Sequence, residues 1–427
     1  MTQYRLFALY KKQPCKQCNG RLLSGVAYML GLFSSIALVR FFDLSAYVWL
    51  MGIAAIILIL TNRFKLRFTL FHAVWISAAV TFATTQSMLS EAYWKNDFNG
   101  LMALTLIALV SDSLFASQKN VDSFMAGILL AGKIQIVWIF LQFILNFAAG
   151  VDLNQLIFND ILHMATTTSQ YKASGLVATG LCWNAGGIAA VLLAQYVFEK
   201  KGHWRVFAVI AGLLTQSSTI AIGLSACILF SILGFLFTKQ KQLSISKSSA
   251  LCIALLIIFI CFTFLAVPSV QDAIRKVVEI TINRISMLMG SQQYDSSFEA
   301  HFNYYVNLPE LLGAMSIVQM LFGYGIDCSG LPYTALTSQY WWLDSWFLES
   351  DPMNSLLGIG IVGTVILYSF LFSLIIKAFR NQNYRAVILI VSYILCGFFY
   401  DIQSVIYYWL IMLEICLSKY VINKEKI

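Results

Sequence analysis

Apolar runs recur along the whole chain, each of roughly 18–25 residues, the length that crosses about 30 Å of hydrocarbon, and short polar stretches separate them. The pattern predicts twelve membrane-spanning helices near 22–42, 44–61, 68–90, 99–117, 122–147, 174–198, 203–217, 219–237, 249–267, 353–376, 385–401 and 404–418. The seventh and eighth read almost as one long helix, and the polar tetrapeptide Gln216-Ser-Ser-Thr219 divides them. One stretch departs from the pattern. Residues 268–352 hold nine acidic residues, three basic ones, a histidine and the aromatic run Tyr340-Trp-Trp-Leu-Asp-Ser-Trp-Phe347. The chain therefore divides into nine N-terminal spans (1–267), a large polar loop (268–352) and three C-terminal spans with a tail (353–427). Within the loop, Leu308, Leu311, Leu312, Met315, Val318 and Phe322 recur at offsets of three and four, which predicts an amphipathic interfacial helix over 307–322.

Composition agrees with this reading. The chain is 59% hydrophobic and 11% charged, with a mean hydropathy of +0.76, which excludes an ordinary soluble protein. The formal net charge of +8 belongs to topology rather than to nucleic-acid binding, because basic residues mark cytoplasmic loops. With the N-terminus inside, the cytoplasmic segments hold 21 of the 28 lysines and arginines. The remaining seven are Arg40, Lys95, Lys133, Lys172, Arg275, Lys276 and Arg284. Both termini are thus expected in the cytoplasm, with 268–352 and a second segment, 148–173, outside.

The nine cysteines form no disulfide framework. Cys182, Cys227, Cys252, Cys261, Cys396 and Cys416 lie in apolar segments as small core hydrophobes. The loop holds only Cys328, and the Cys15-x-x-Cys18 pair lacks a second pair of ligands. The first apolar run is long and has no clear cleavage site, so no signal peptide is expected.

An outward-facing loop has no ATP or nucleotide sugar at hand, so chemistry there needs a substrate delivered already activated. A lipid diphosphate carrying a sugar chain is such a substrate. It asks for cations, a proton acceptor and aromatic faces. Lys172, Arg275, Lys276 and Arg284 are the outward cations. His301, Glu299, Asp344, Glu349 and Asp351 are candidate bases, and Trp341, Trp342 and Trp346 offer stacking surface for sugars. Each has a plainer reading: an interfacial belt for the tryptophans, headgroup contact for Arg275 and Lys276, a structural role for His301. Lys133 lies mid-span, a functional candidate by default, with no obvious acidic partner. Gln135, Gln142 and Asn146 share another face of that helix and are expected to join helices.

Three motifs carry a resemblance. Lys172-Ala-Ser-Gly175 precedes Asn184; His301 stands some twenty residues before Leu321-Phe-Gly-Tyr-Gly325; and Glu349-Ser350 precedes Gly360-Ile-Val-Gly363. In these the chain resembles the O-antigen ligase and polymerase family of bacterial envelope glycosyltransferases. It departs in having lysine where the family has arginine before the sixth span, a longer gap to Asn184, and Ser217-Ser218-Thr219 where members commonly carry Ser-Arg. Ligases tend to have His-Asn where this chain has Glu349-Ser350, which favours a polymerase.

The resemblance implies an all-α polytopic, GT-C-like fold of about twelve helices with a large, partly helical periplasmic loop, in the bacterial inner membrane. It implies transfer of a growing chain from polyprenyl (undecaprenyl) diphosphate to a new lipid-linked oligosaccharide unit, with a chain-length regulator and a flippase as working partners. In that reaction Lys172 and Arg284 are expected to contact the diphosphate, His301 and Glu349 to act as the base or orient the acceptor, and Trp341, Trp342, Asp344 and Trp346, from their residue types alone, to contact sugar. No cofactor is implied, and cations holding the diphosphate leave no need for a metal. The alternatives are the ligase and, in another class, a polysaccharide flippase, which asks for ionisable residues inside the bundle; Lys133 alone fits that from the sequence.

Overall fold

The computed structural model describes residues 16–34, 36, 40–41, 44–85, 91–162, 171–172, 175–176, 180–182, 185–215, 217–238, 304–326, 328–330, 348–398, 400, 402–405 and 407–421. The protein is mostly helical. Helices α1 (Lys16–Ser34), α2 (Ala46–Leu60), α3 (Leu70–Thr85), α4 (Glu91–Leu114) and α5 (Gln118–Ala149) are followed by a π-helical turn, Gln155–Ile161. Then come α6 (Ala185–Phe198), α7 (Gly202–Leu214) and α8 (Ser218–Thr238). The later segments are α9 (Leu308–Ala314), α10 (Ile317–Phe322), α11 (Asp351–Arg380), α12 (Tyr384–Gly397), α13 (Ile402–Val405) and α14 (Tyr407–Lys419). Two short antiparallel pairs, β1 (Arg40–Phe41) with β2 (Leu44–Ser45) and β3 (Tyr171–Lys172) with β4 (Gly175–Leu176), are exceptions to the all-α expectation.

Three helices among the described residues are long and apolar enough to cross a membrane: 97–114 within α4, α5 and α11. Seven more are apolar but 10–17 residues long. This is a membrane protein's helix inventory, but it is not twelve full-length spans, and the expected span 249–267 lies outside the described residues. The shortfall has local causes. The expected span 174–198 begins as a hairpin, and its helix starts only at Ala185, after Gly180 turns the chain at φ 60°. The expected span 22–42 stops at Ser34, and strands follow. The division at Gln216-Ser-Ser-Thr219 is present: α7 ends at Leu214 and α8 begins at Ser218. The outward faces remain apolar. Ile53, Ile56 and Ile59 on α2 and Val137, Leu141 and Ile144 on α5 are exposed at helical spacing, as lipid-facing stripes require.

The bundle closes by small residues and internal hydrogen bonds, because lipid-soluble helices gain little from apolar burial against one another. Helices α1 and α5 meet backbone to backbone: a Cβ on Gly127 would overlap Tyr28 O, and one on Gly31 would overlap Phe124 O. Along the same seam Ser24 Oγ and Ser123 Oγ are 2.6 Å apart. Elsewhere Trp75 Nε1 donates to Thr105 Oγ1 at 2.9 Å, and Tyr393 Oη to Ala190 O at 2.7 Å. Cys182, Cys227, Cys396 and Cys416 are buried thiols outside any disulfide among the described residues, as expected of core positions.

Gly127→Leu forces α1 and α5 apart. Its cost is expected to reach or exceed the roughly 1–3 kcal/mol of ordinary overpacking, seen as a lower melting temperature of the detergent-purified protein. Unchanged melting would mean the seam is looser than the backbone contacts indicate.

Candidate functional site

The site is built where α11 breaks. Ser350 precedes the helix, and Asp351 and Pro352 occupy its first turn, a favoured start for a helix. Gly360, at φ 69° and ψ −177°, then interrupts it. That conformation suits only glycine, and a Cβ there would overlap Leu321 O. The kink frees helix carbonyls, and a second part of the chain satisfies them. Tyr324 N donates to Leu357 O at 2.8 Å, and Gly325 N donates to Gly358 O at 2.9 Å. The turn that supplies these amides, Phe322-Gly-Tyr-Gly325, needs Gly323 at φ 82°. Two helices grip the turn from the other side: Thr81 Oγ1 of α3 donates to Phe322 O, and Ile326 N donates to Asp97 Oδ1 of α4 at 2.6 Å.

The approach to the turn corrects an expectation. Residues 307–322 form two short helices, α9 and α10, rather than one interfacial helix. Met315 is extended at ψ 140°, and Ser316 restarts the chain with a capping box. In that box Gln319 N donates to Ser316 Oγ, and Ser316 N donates to Gln319 Oε1 at 3.0 Å. Ser-x-x-Gln was legible as a helix start. A small core of Tyr304, Leu311, Met315, Leu348, Met353 and Leu357 joins these helices to the start of α11.

Polar contacts complete the junction. Tyr305 Oη lies 2.7 Å from Ser350 Oγ and donates to Phe398 O at 2.9 Å, so the Ser350 hydroxyl is the donor to Tyr305. Burial raises the Tyr305 phenol above its ordinary pKa, as does the nearby Asp351, against the lowering contact from Ser350. Gln403 N donates to Asp351 Oδ1 at 2.9 Å. Leu348 N donates to Asn354 Oδ1 at 2.8 Å, and Ser329 Oγ is bonded to the same oxygen. Glu349 is half-buried between the buried Leu348 and Ser350.

Of the expected site residues, this junction contains Glu349 and the candidate base Asp351. Lys172 has its backbone in β3, paired with Gly175 across the hairpin. His301, Arg284, Trp341, Trp342, Asp344 and Trp346 lie outside the described residues. The segment that follows His301 in sequence is tied to the residue after Glu349 through the Tyr305–Ser350 bond. Sequence reasoning missed Tyr305, Asp97, Thr81 and Gln403. An aspartate beside an apolar run was the one available signal, for Asp97.

Two expectations about the bundle interior also change. Lys133 has an acidic partner, Glu199, with Nζ 2.8 Å from Oε2. The carboxylate also accepts from Gln195 Nε2 at 3.0 Å and from the backbone amides of Lys200 and Lys201. Burial alone would raise its pKa; the hydrogen bond from Lys133 and those from the amides outweigh it and hold Glu199 below the usual carboxylate range. Nor is Lys133 the only ionisable residue inside: Glu414 of α14 is fully buried. Among the described residues, Gln135 and Gln142 bond to irregular backbone rather than to a helix. Their Oε1 atoms accept from Leu181 N at 2.8 Å and Gly180 N at 2.9 Å, holding irregular backbone before α6.

Comparison with known proteins finds no family model that matches the chain and no curated protein similar to it.

Gly360→Ala is expected to lose roughly 1–3 kcal/mol through backbone strain alone, with the overlap at Leu321 O in addition. Gly313→Ala, in open space on α9, serves as the neutral comparison in the same melting assay. Glu199→Gln leaves Lys133 unpaired and should lower the melting temperature at neutral pH. Because the folded pKa of Glu199 is depressed, its stabilising contribution is complete above the unfolded value, about 4.3. That contribution falls away as pH drops through the folded value. The variant's stability should therefore fall less steeply with acid than the wild type's; parallel acid titrations would remove the pair from the stability account.

Proposed function

We propose that this chain is a polytopic membrane glycosyltransferase that polymerises lipid-linked oligosaccharide units at the periplasmic face of the inner membrane. The observation that carries the reading is the clasp between Phe322-Gly-Tyr-Gly325 and the Gly358–Gly360 kink. Two of the three motifs behind the family resemblance meet there, the second of them opening with Glu349. The short apolar helices complete a bundle of about twelve spans in this reading, with 268–352 outside and both termini in the cytoplasm.

The chemistry follows from the residues assigned. The acceptor hydroxyl attacks the anomeric carbon of the donor sugar, and the bond from that carbon to the diphosphate oxygen breaks. The diphosphate leaves with the electron pair on its carrier lipid, held by Lys172 and Arg284. His301 or Glu349 takes the hydroxyl proton. Trp341, Trp342, Asp344 and Trp346 bind sugars. Tyr305 acts as a positioning residue, through Ser350, for the segment that carries Glu349. The buried Glu414 favours a second reading, a flippase, since transporters place ionisable groups inside the bundle.

Deletion of the gene, followed by gel analysis of surface polysaccharide, separates the readings. A polymerase null leaves a single repeat unit on the lipid core. A ligase null leaves none while polymer accumulates on the carrier lipid, and a flippase null leaves none without polymer. In the polymerase, Arg284→Ala is expected to cost about a hundredfold in rate, and loss of the true base at His301 or Glu349 about 10²–10⁴. Arg275→Ala should be mild. Full activity of both His301→Ala and Glu349→Ala would remove the catalytic assignment.

A further inference from the structure

At the other end of α11 lies a cavity of about 140 Å³ between the start of α3, the end of α4, and the last turns of α11 and α14. Lys377, in its lining, is 26 residues beyond Asp351 along the helix, some 39 Å at 1.5 Å per residue. It is therefore separate from the junction described above. The space far exceeds the 10–15 Å³ or so that one water needs.

The chemistry of its wall is one-sided. Thr69 N donates to His72 Nδ1 at 3.1 Å, so Nδ1 is an acceptor and the proton of a neutral ring sits on Nε2. That Nε2–H is buried and has no partner among the described residues. The hydroxyls of Ser111, Ser373 and Ser418 all donate back to carbonyls of their own helices, Ile107 O, Phe370 O and Ile415 O. They contribute no donor to the cavity. Lys419 pairs with Asp112 at 3.2 Å. Lys377 stands exposed and makes no salt bridge among the described residues. Two ammonium groups against one carboxylate leave the cavity with a net charge of +1. Lysines in the last turns of α11 and α14 suit the helix dipoles, but that accounts only for their presence. It leaves the buried His72 donor unexplained, and a buried donor without a partner is costly.

We propose that this cavity binds a phosphate group, held by Lys377, Lys419 and the Nε2–H of His72. An oxyanion supplies the acceptor that the His72 Nε2–H lacks, adds one for Lys377, shares Lys419 with Asp112, and neutralises the excess charge. The phosphate is either free inorganic phosphate or the phosphomonoester headgroup of an anionic lipid. The inference stands apart from the glycosyl-transfer reading and uses none of its residues.

The test uses the full-length protein in two settings. In detergent, inorganic phosphate is titrated against chloride at equal ionic strength, with calorimetry and thermal unfolding as readouts. In nanodiscs, phosphatidylcholine alone is compared with phosphatidylcholine containing phosphatidic acid. Saturable binding in detergent identifies the free anion, and stabilisation only by phosphatidic acid identifies the headgroup; either supports the site. Lys377→Met and His72→Phe should each weaken the interaction about tenfold, the worth of one hydrogen bond to a charged group. Ser373→Leu, which fills the space without changing charge, should do the same, while Arg380→Gln, outside the cavity, should not. Absence of binding in both settings, or binding undiminished in the folded variants, overturns the proposal.

Discussion

At Gly360 a membrane-embedded helix stops bonding to itself, and everything at the candidate site follows from how the loose carbonyls are satisfied. An unpartnered carbonyl in an apolar interior costs more than any single contact nearby can return. The solution is a clasp made wholly of backbone: two amides of one turn bonded to Leu357 O and Gly358 O. Side chains enter only behind the turn, where Thr81 and Asp97 hold it in register. The helical bundle and the polar segment before it are joined at this crossing, and again where Tyr305 Oη donates to Phe398 O.

The same rule operates a second time in the bundle. The irregular stretch at Gly180–Cys182 would expose its amides, and Gln135 and Gln142, one turn-pair apart on α5, take them up. Trp138 and Asn154 extend the arrangement: the indole donates to Asn154 Oδ1, and Asn154 Nδ2 donates to Gly180 O. Helix α6 starts late because the preceding backbone is held in this way. Gln135 and Gln142 on α5 thus serve as substitutes for water, while Ser123 of the same helix bridges to Ser24 of α1.

Much of the helix layout was legible in the sequence. Apolar run length located α2, α3, α5, α8 and α12 within a few residues, and the Gln216–Thr219 break divided α7 from α8. What was not legible is pairing across distance. Asp97 and Ile326 are 229 positions apart, and Lys133 and Glu199 look solitary until α5 and α6 are laid side by side. Periodicity reports which face of a helix is apolar; it carries no information about which carboxylate meets which amide. The Leu308–Phe322 spacing misled for a related reason. Its apolar period continues through Met315, but the capping box at Ser316 ends one helix and starts another, and a capping signal is local where periodicity is not.

The kink also divides α11 mechanically. Before it, the carbonyls of Leu357 and Gly358 are stapled to the 323–325 turn. After it, Gly363 lies against Ser77, and the Phe370 ring packs tilted against Phe71 of α3, with centroids 5.3 Å apart. The first nine residues of the helix are therefore bonded to the polar segment and, through Asp351, to Gln403 of α13, while the last twenty pack on the bundle. A single left-handed glycine forms the border between them. Along α11 itself, the start of the helix beside Glu349 is joined to the membrane-embedded half through one positive-φ residue, with the backbone clasp on one side of it and apolar packing on α3 on the other.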